Sequence, residues 1–211
     1  MEEQLDLPFD GAETERGEDP QPVLVDYEQM VRNLFKRTDY HNSLCGGQDG
    51  ASLMHAAIGV CGEAYELTQA THLENIIEEL GDVVFYSAAM AQVLVDSGID
   101  HVESSIGLMA INYAGNCEQP LQGVVNDILI MGHNLLDISK RVWIYGNDMA
   151  DHQVDLLNNL GGLLGAVSVY AVRLNLDMDR VREQNQIKLG KRYPGGVYSN
   201  AAATARADKG E

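Results

Sequence analysis

Two pairs of carboxylates stand close together in residues 62–82, and each pair has the spacing that places two side chains on one helix face. The pairs are Glu63 with Glu66 and Glu79 with Asp82, and residues three apart on a helix are neighbours. The surrounding residues are helix formers without proline. The segment between the pairs is long enough for a helix end and a short turn, so two antiparallel helices can face the pairs together. Four carboxylates at one point repel one another unless a cation neutralises them.

The chemistry of these side chains favours a hard divalent cation. Carboxylate oxygens suit Mg²⁺, with Mn²⁺ as a second choice, better than zinc. The competing interpretation is that glutamate pairs on helices are solvated surface charge, but apolar residues flank both acidic stripes here. No histidine follows a glutamate at the Glu-x-x-His spacing of a di-iron bundle. One glycine in each helix, Gly62 and Gly81, costs about 1 kcal/mol and indicates close helix approach or room for a ligand.

Composition excludes several classes of partner. The 211 residues carry a formal charge of −18, so we expect no nucleic acid as partner. No stretch has the roughly 18 apolar residues of a membrane span, so we expect no membrane partner either. Cysteines at three scattered positions form no disulfide framework (Cys45, Cys61 and Cys117). Together with the acidic N-terminus, which lacks an apolar signal core, they predict a cytoplasmic protein.

Helical periodicity dominates the rest of the chain, and no segment alternates as a strand would. We therefore predict an all-α fold. The expected helices cover about 23–37, 51–69, 73–96, 101–113, 121–145, 152–174 and 178–190. The expected regions are a disordered acidic leader over 1–22, a first helical copy with the metal-binding carboxylates over 23–118, a second copy over 119–199, and a flexible tail over 200–211, with irregular chain after the last helix.

A weak internal repeat suggests that the two copies are related. Residues 76–95 align without gaps onto 156–175, although only four positions are identical. Where the first copy has Glu79 and Asp82, the second has Asn159 and Gly162; with a shift of six residues, Asp137 and Lys140 stand opposite Glu63 and Glu66. A true duplication would give an internal pseudo-dimer whose second metal site has been lost. The alternative is that any two apolar helices share Leu and Gly at core positions.

Three blocks in this order resemble a known family: HAAIGVCGEAYEL, ENIIEELGDVVFY and NQIKLGKRYPGGVYS. They resemble the MazG-like, all-α nucleoside triphosphate pyrophosphohydrolases. The resemblance implies a helical bundle in which Glu63, Glu66, Glu79 and Asp82 bind Mg²⁺ as the catalytic set. It also implies substrate binding by the later block, through Asn185, Lys188, Arg192 and Tyr193. This chain departs from the family pattern at Gly62, where a glutamate is frequent, and in about 80 additional residues between 103 and 180.

The activity implied by the resemblance is hydrolysis of a nucleoside triphosphate, in particular a deoxynucleoside triphosphate, to monophosphate and pyrophosphate by a homodimer or homotetramer. One of the four acids, or Glu78, would act as general base. His55 lies on the same helix face as Glu63 and is either a nucleotide contact or a partly buried structural histidine. Trp143 and Tyr145 are expected in core packing or on a surface of the second copy rather than in base stacking, and the loop with His41 and Asn42 is a further candidate contact.

Two alternatives remain open at this point. The chain could belong to the related dimeric all-α nucleotidases that act on dUTP or dCTP. It could also be a non-catalytic helical module that binds a nucleotide or a protein and uses metal only as structural support. The complete set of four acids favours an enzyme.

Overall fold

The computed structural model describes residues 26–35, 47–206 and 208, and these ranges contain helices joined by turns, without a strand. The prediction of an all-α fold is confirmed. The expected acidic leader and the loop with His41 and Asn42 lie outside the described residues. The helices are α1 (Tyr27–Leu34), α2 (Gly47–Gln69), α3 (Leu73–Asp96), α4 (Val102–Asn116), α5 (Leu121–Tyr145), α6 (Gln153–Arg173), α7 (Met178–Arg192) and α8 (Asn200–Ala205).

Two long helical hairpins form the centre of the fold. Helix α2 packs along α3, α5 packs along α6, and the hairpins meet where α2 packs against α5. Helix α4 covers α6, while α1 and α7 cover α3. The interior is one continuous apolar cluster to which both hairpins contribute fully buried side chains, among them Leu53, Leu80, Ile128 and Leu160. No helix among the described residues is long and apolar enough to cross a membrane.

Local signals in the sequence set the helix ends. Asp26 caps α1, because its Oδ1 accepts a hydrogen bond from the backbone N–H of Gln29 at 3.2 Å. Helix α5 ends where Gly146 adopts φ = 69°, a left-handed conformation that favours glycine. The expected bounds of α3 and α5 are confirmed. The first helix ends at Leu34 rather than residue 37, and α2 begins four residues earlier than expected, at Gly47.

The expectation of irregular chain after α7 is wrong for Asn200–Ala205, which forms α8. Its N-cap is Ser199, whose Oγ accepts a hydrogen bond from the N–H of Ala202 at 3.1 Å. The alanine-rich sequence that follows has high helix propensity. Arg206 ends the helix in the left-handed region at φ = 47°.

Two glycines at aligned positions of the two hairpins each allow another helix to pack closely. A Cβ on Gly81 would lie 2.9 Å from the Cβ of Asn185 in α7. A Cβ on Gly161 would lie 2.6 Å from the Cβ of Met109 in α4. Each glycine therefore lets a covering helix cross its hairpin closely, as expected for Gly81. Gly62, in contrast, has no atom within 4 Å of its Cβ position.

Candidate functional site

Three of the four predicted metal-binding acids come together between α2 and α3. One carboxylate oxygen each from Glu63, Glu79 and Asp82 lie within 4.8 Å of one another. Helix α2 supplies the first acid and α3 supplies the other two, one helical turn apart. The fourth acid, Glu66, lines the same cavity as Glu63 and Asp82 and is exposed. The i,i+3 spacing thus produces the expected meeting of two acidic stripes.

The electrostatics of this cluster are those of crowded, partly buried carboxylates. Burial, reinforced by the negative charges of the neighbouring acids, raises the pKa of Glu63 to about 8. Burial and the charge of Glu66 also raise the pKa of Glu79. The positive charge of a hard divalent cation would offset this repulsion. Such a cation binds oxygen ligands, and the three carboxylates are close enough to bind one together. The donor set therefore fits Mg²⁺ or Mn²⁺.

Two side chains of α7 bind Asp82, the third acid of the cluster. Asn185 donates from Nδ2 to Oδ1 of Asp82 at 2.7 Å, and Lys188 donates from Nζ to Oδ2. Lys188 also lies 3.4 Å from an oxygen of Glu78. The hydroxyl of Tyr27 donates to Oδ1 of Asn185 at 3.3 Å. Burial raises the pKa of Asp82, while Lys188 opposes that rise. Asn185 and Lys188 thus hold one carboxylate of the acidic cluster in place.

A cavity of about 400 Å³ opens beside the acidic cluster. Its walls come from the end of α1, from α2, α3 and α7, and from the segment that follows α7. The acidic wall consists of Glu63, Glu66 and Asp82, and Arg192 and Arg206 provide positive charge. Aromatic rings form much of the remaining lining, namely Phe35, His55, Phe85, Tyr86, Tyr193 and Tyr198. Acidic, basic and aromatic groups therefore share one concave site.

His55 lies in the aromatic part of this lining, as a site residue would. Its ring stacks on Phe35 with centroids 4.7 Å apart and meets Tyr86 edge-on at 6.2 Å. Tyr86 in turn lies directly over Gly59, where a Cβ would be only 2.3 Å from the ring. The glycine is therefore required for the position of the tyrosine ring.

Tyr86 is a cavity residue that the sequence analysis did not select. It follows Asp82 by one helical turn on the acidic face of α3, which was the available signal. Burial and the charges of Glu63 and Asp82 raise its pKa to about 12. The hydroxyl therefore stays protonated and is available as a hydrogen-bond donor at the edge of the acidic cluster.

Arg192 and Tyr193, from the third block of the resemblance, line the cavity, and Arg192 is already paired there. Its Nε donates to Oδ1 of Asp208 at 2.6 Å and a terminal nitrogen donates to the other oxygen. This pairing raises the pKa of Arg192 and lowers that of Asp208. The rings of Tyr193 and Tyr198 lie in tilted contact, with their centroids 5.7 Å apart. The aspartate was missed because no spacing rule connects it to Arg192.

Trp143 and Tyr145 do not line the cavity. The backbone of Trp143 is 3.4 Å from the Cβ position of Gly50, so this residue packs between α2 and α5. Tyr145 is 63% exposed, and the Nζ of Lys140 lies 5.6 Å from its ring centre. Trp143 thus packs against α2, and Tyr145 lies at the surface, as the sequence analysis allows.

The aligned positions of the second hairpin lack an acidic cluster in the described part of the chain. Asn159 accepts a hydrogen bond from Asn134 at 3.0 Å, and the Cβ position of Gly162 is 3.0 Å from the sulfur of Met131. Asp137 forms an ion pair with Arg141 on its own helix. The positions aligned with Glu79 and Asp82 thus carry an amide and a glycine that contacts a thioether, and the carboxylate aligned with Glu63 is paired with an arginine.

Comparisons with protein families, with curated proteins and with solved structures find no match. Assignment of a function therefore depends on the chemistry of the site and on the sequence motifs.

Proposed function

We propose that this chain is a Mg²⁺-dependent nucleoside triphosphate pyrophosphohydrolase that releases a nucleoside monophosphate and pyrophosphate. The observation that carries this proposal is the convergence of Glu63, Glu79 and Asp82 beside a cavity with aromatic and cationic walls. A metal-binding acidic wall suits a polyphosphate, and aromatic rings suit a base. A volume of about 400 Å³ lies within the usual range for small-molecule sites.

In this proposal the four acids bind the metal. Mg²⁺ held by Glu63, Glu79 and Asp82, with Glu66 beside them, would supply the positive charge that lets a triphosphate approach and would polarise the α-phosphate. Asn185 and Lys188 keep Asp82 in the orientation that the cluster requires. Arg192, Tyr193 and His55 line the remaining cavity, where the substrate would lie.

The reaction then requires a proton acceptor for the attacking water. Water forms a bond to the α-phosphorus, the bond to the bridging oxygen breaks, and pyrophosphate leaves with the electron pair. Glu78 is a poor candidate for the acceptor, because it lies near Lys188 and lines a different groove. Glu63, Glu66 or Asp82 is the better candidate, since these carboxylates line the cavity.

An internal duplication is the second part of the proposal. The pairs α2/α3 and α5/α6 meet through α2 and α5, as two subunits of a dimer would. Gly81 and Gly161 support the relation, because each admits a covering helix at the aligned position. In this interpretation the first copy keeps the metal site and the second keeps only its packing. Homo-oligomer formation remains a prediction that light scattering can test.

Pyrophosphate release tests the function. We expect release from at least one member of a panel of ribo- and deoxyribonucleoside triphosphates, with Mg²⁺ and not with EDTA. In ¹⁸O-labelled water the label should appear in the monophosphate. Label in inorganic phosphate, with a diphosphate as coproduct, would contradict the proposal, as would inactivity against the whole panel.

A further inference from the structure

The cavity contains two arginines in different electrostatic states. Arg192 is held by both oxygens of Asp208, whose side chain is fully buried while that of Arg192 is 18% exposed. The charge of this guanidinium is therefore neutralised within the protein. Lys188, the nearest lysine to the acidic cluster, is likewise paired with Asp82 and Glu78. Neither cation is available to a phosphate without breaking an ion pair.

Arg206 differs from these two cations. It lines the same cavity as Glu63 and Glu66, its side chain is exposed, and no carboxylate among the described residues pairs with it. A polyphosphate carries more negative charge than the metal alone neutralises, and a guanidinium forms two-pronged hydrogen bonds with phosphate oxygens. Arg206 is thus the available guanidinium on the cavity wall in the described part of the chain.

The segment that carries Arg206 is attached to the protein on both sides. Before α8, the N–H of Tyr198 donates to the carbonyl of Asn33 at 3.0 Å, and its ring packs on Tyr193. After α8, Asp208 is bound by Arg192. The two attachments place the end of α8 against the cavity, where Ala203 and Arg206 form part of the wall.

We propose that Arg206 binds the polyphosphate chain of the substrate and that Asp208, through Arg192, positions it. This inference rests on the proposed function for the identity of the substrate. It assigns the ion pair of Arg192 a positioning role, in which the pair holds the segment after α7 beside the cavity. The pair does not need to open when substrate binds.

Binding of inorganic tripolyphosphate in excess Mg²⁺, measured by titration calorimetry, tests the assignment without a base or a reaction. Arg206→Gln should weaken binding roughly tenfold or more, because a charge-assisted hydrogen-bond pair is lost. Arg206→Lys should retain part of the affinity. Lys191→Gln is the matched control, since it makes the same change of charge on an exposed residue of α7 outside the cavity lining and should leave affinity within about twofold.

Asp208→Asn distinguishes two roles for Asp208: positioning of the segment that carries Arg206, or competition with phosphate for Arg192. It removes a negative charge near an anion site, yet it should weaken tripolyphosphate binding, because the segment with Arg206 loses its attachment. Affinity equal to or above that of the unaltered protein would overturn the proposal and make Arg192 the phosphate ligand. Equal effects of Arg206→Gln and Lys191→Gln would overturn it as well, as would no binding of tripolyphosphate by the unaltered protein.

Nucleoside triphosphate hydrolysis, measured in parallel, separates this proposal from the proposed function. Hydrolysis that is unchanged in Arg206→Gln would overturn the role of Arg206 and leave the enzymatic function intact. Binding of tripolyphosphate that depends on Arg206, without hydrolysis of any nucleotide, would support the anion site and contradict the enzymatic function.

Discussion

Asp82 of α3 and Lys188 of α7 form a direct ion pair although 106 positions separate them in the chain. Their side chains are only 19% and 15% exposed, so solvent screens the pair weakly. Asn185 occupies the other oxygen of the same carboxylate. One side chain therefore contributes both to the acidic cluster and to the packing of α7, and this sets Asp82 apart from Glu63 and Glu79.

Neutral substitutions in the acidic cluster should separate these two contributions. Glu63→Gln and Glu79→Gln should abolish Mg²⁺-dependent hydrolysis and, above about pH 8, where Glu63 is charged in the folded protein, stabilise the metal-free fold, because they relieve repulsion between carboxylates. Asp82→Asn should also abolish hydrolysis but destabilise the fold by roughly 2 kcal/mol, since it deprives Lys188 of its main partner. Urea unfolding in EDTA measures the stabilities. Full activity of Asp82→Asn at saturating Mg²⁺ would contradict the assignment of the metal site.

Stability of the metal-free protein should fall as pH rises. The pKa of Glu63 is about 8 in the folded protein, above its ordinary value of 4.5. The folded state therefore binds this proton more tightly than the unfolded state, and its contribution to stability is complete below about pH 4.5 and is lost through pH 8. After a discount for solvent screening we expect a loss of roughly 1–2 kcal/mol.

Calorimetric melting at several pH values in EDTA, and again with Mg²⁺, measures this effect. Saturating Mg²⁺ should reduce the pH dependence, because the cation replaces the proton as the neutralising charge. A melting temperature that is equally independent of pH with and without Mg²⁺ would argue against the electrostatic account of the cluster.

Sequence periodicity was sufficient for the long helices because their apolar faces recur over many turns. The expected bounds of α3 and α5 agree with the structure. Helix α8 was missed because six residues cannot show a repeating pattern, and the Ser199 cap was the remaining signal. The expected end of α1 was too late by three residues, since helix ends depend on local caps more than on periodicity.

The acidic cluster was predictable because the i,i+3 rule applies within each helix and a short turn joins the two. The resemblance predicted that Asn185 and Lys188 bind substrate near the acids, but not that they bind Asp82, and no spacing rule relates Asp82 to either residue. Neither a spacing rule nor the resemblance predicted the Arg192–Asp208 pair. Long-range pairing depends on tertiary packing, which a single sequence does not specify by local rules.

Removal of the Lys188 charge should affect metal binding as well as catalysis. Lys188 opposes the rise in the pKa of Asp82, so Lys188→Ala should weaken Mg²⁺ affinity and reduce kcat/KM by at least about tenfold. The matched control is Lys140→Ala in the second hairpin. That lysine is exposed and contacts the Tyr145 ring, so its removal should leave both quantities nearly unchanged. Equal effects of the two substitutions would contradict the role given to Lys188 and weaken the case for a silent second copy.

Two glycines of α2 provide a paired test of the cavity wall. A Cβ on Gly59 would lie 2.3–2.5 Å from three ring atoms of Tyr86, whereas the Cβ position of Gly62 is open. Gly62→Ala should therefore raise stability by roughly 0.5–1 kcal/mol through helix propensity alone. Gly59→Ala should instead destabilise by roughly 1–3 kcal/mol, because the ring must leave its position over the helix.

The same two variants should also differ in activity. Displacement of the Tyr86 ring changes the cavity beside Glu63, so Gly59→Ala should raise KM for the triphosphate, whereas Gly62→Ala should retain the parental value. Thermal unfolding and steady-state kinetics measure the two effects, and a shift of 1 kcal/mol corresponds to roughly 2–4 °C in a chain of this size. Gly59→Ala as stable and active as Gly62→Ala would show that the Tyr86 ring is not fixed against α2, and the aromatic wall would lose its part in substrate binding.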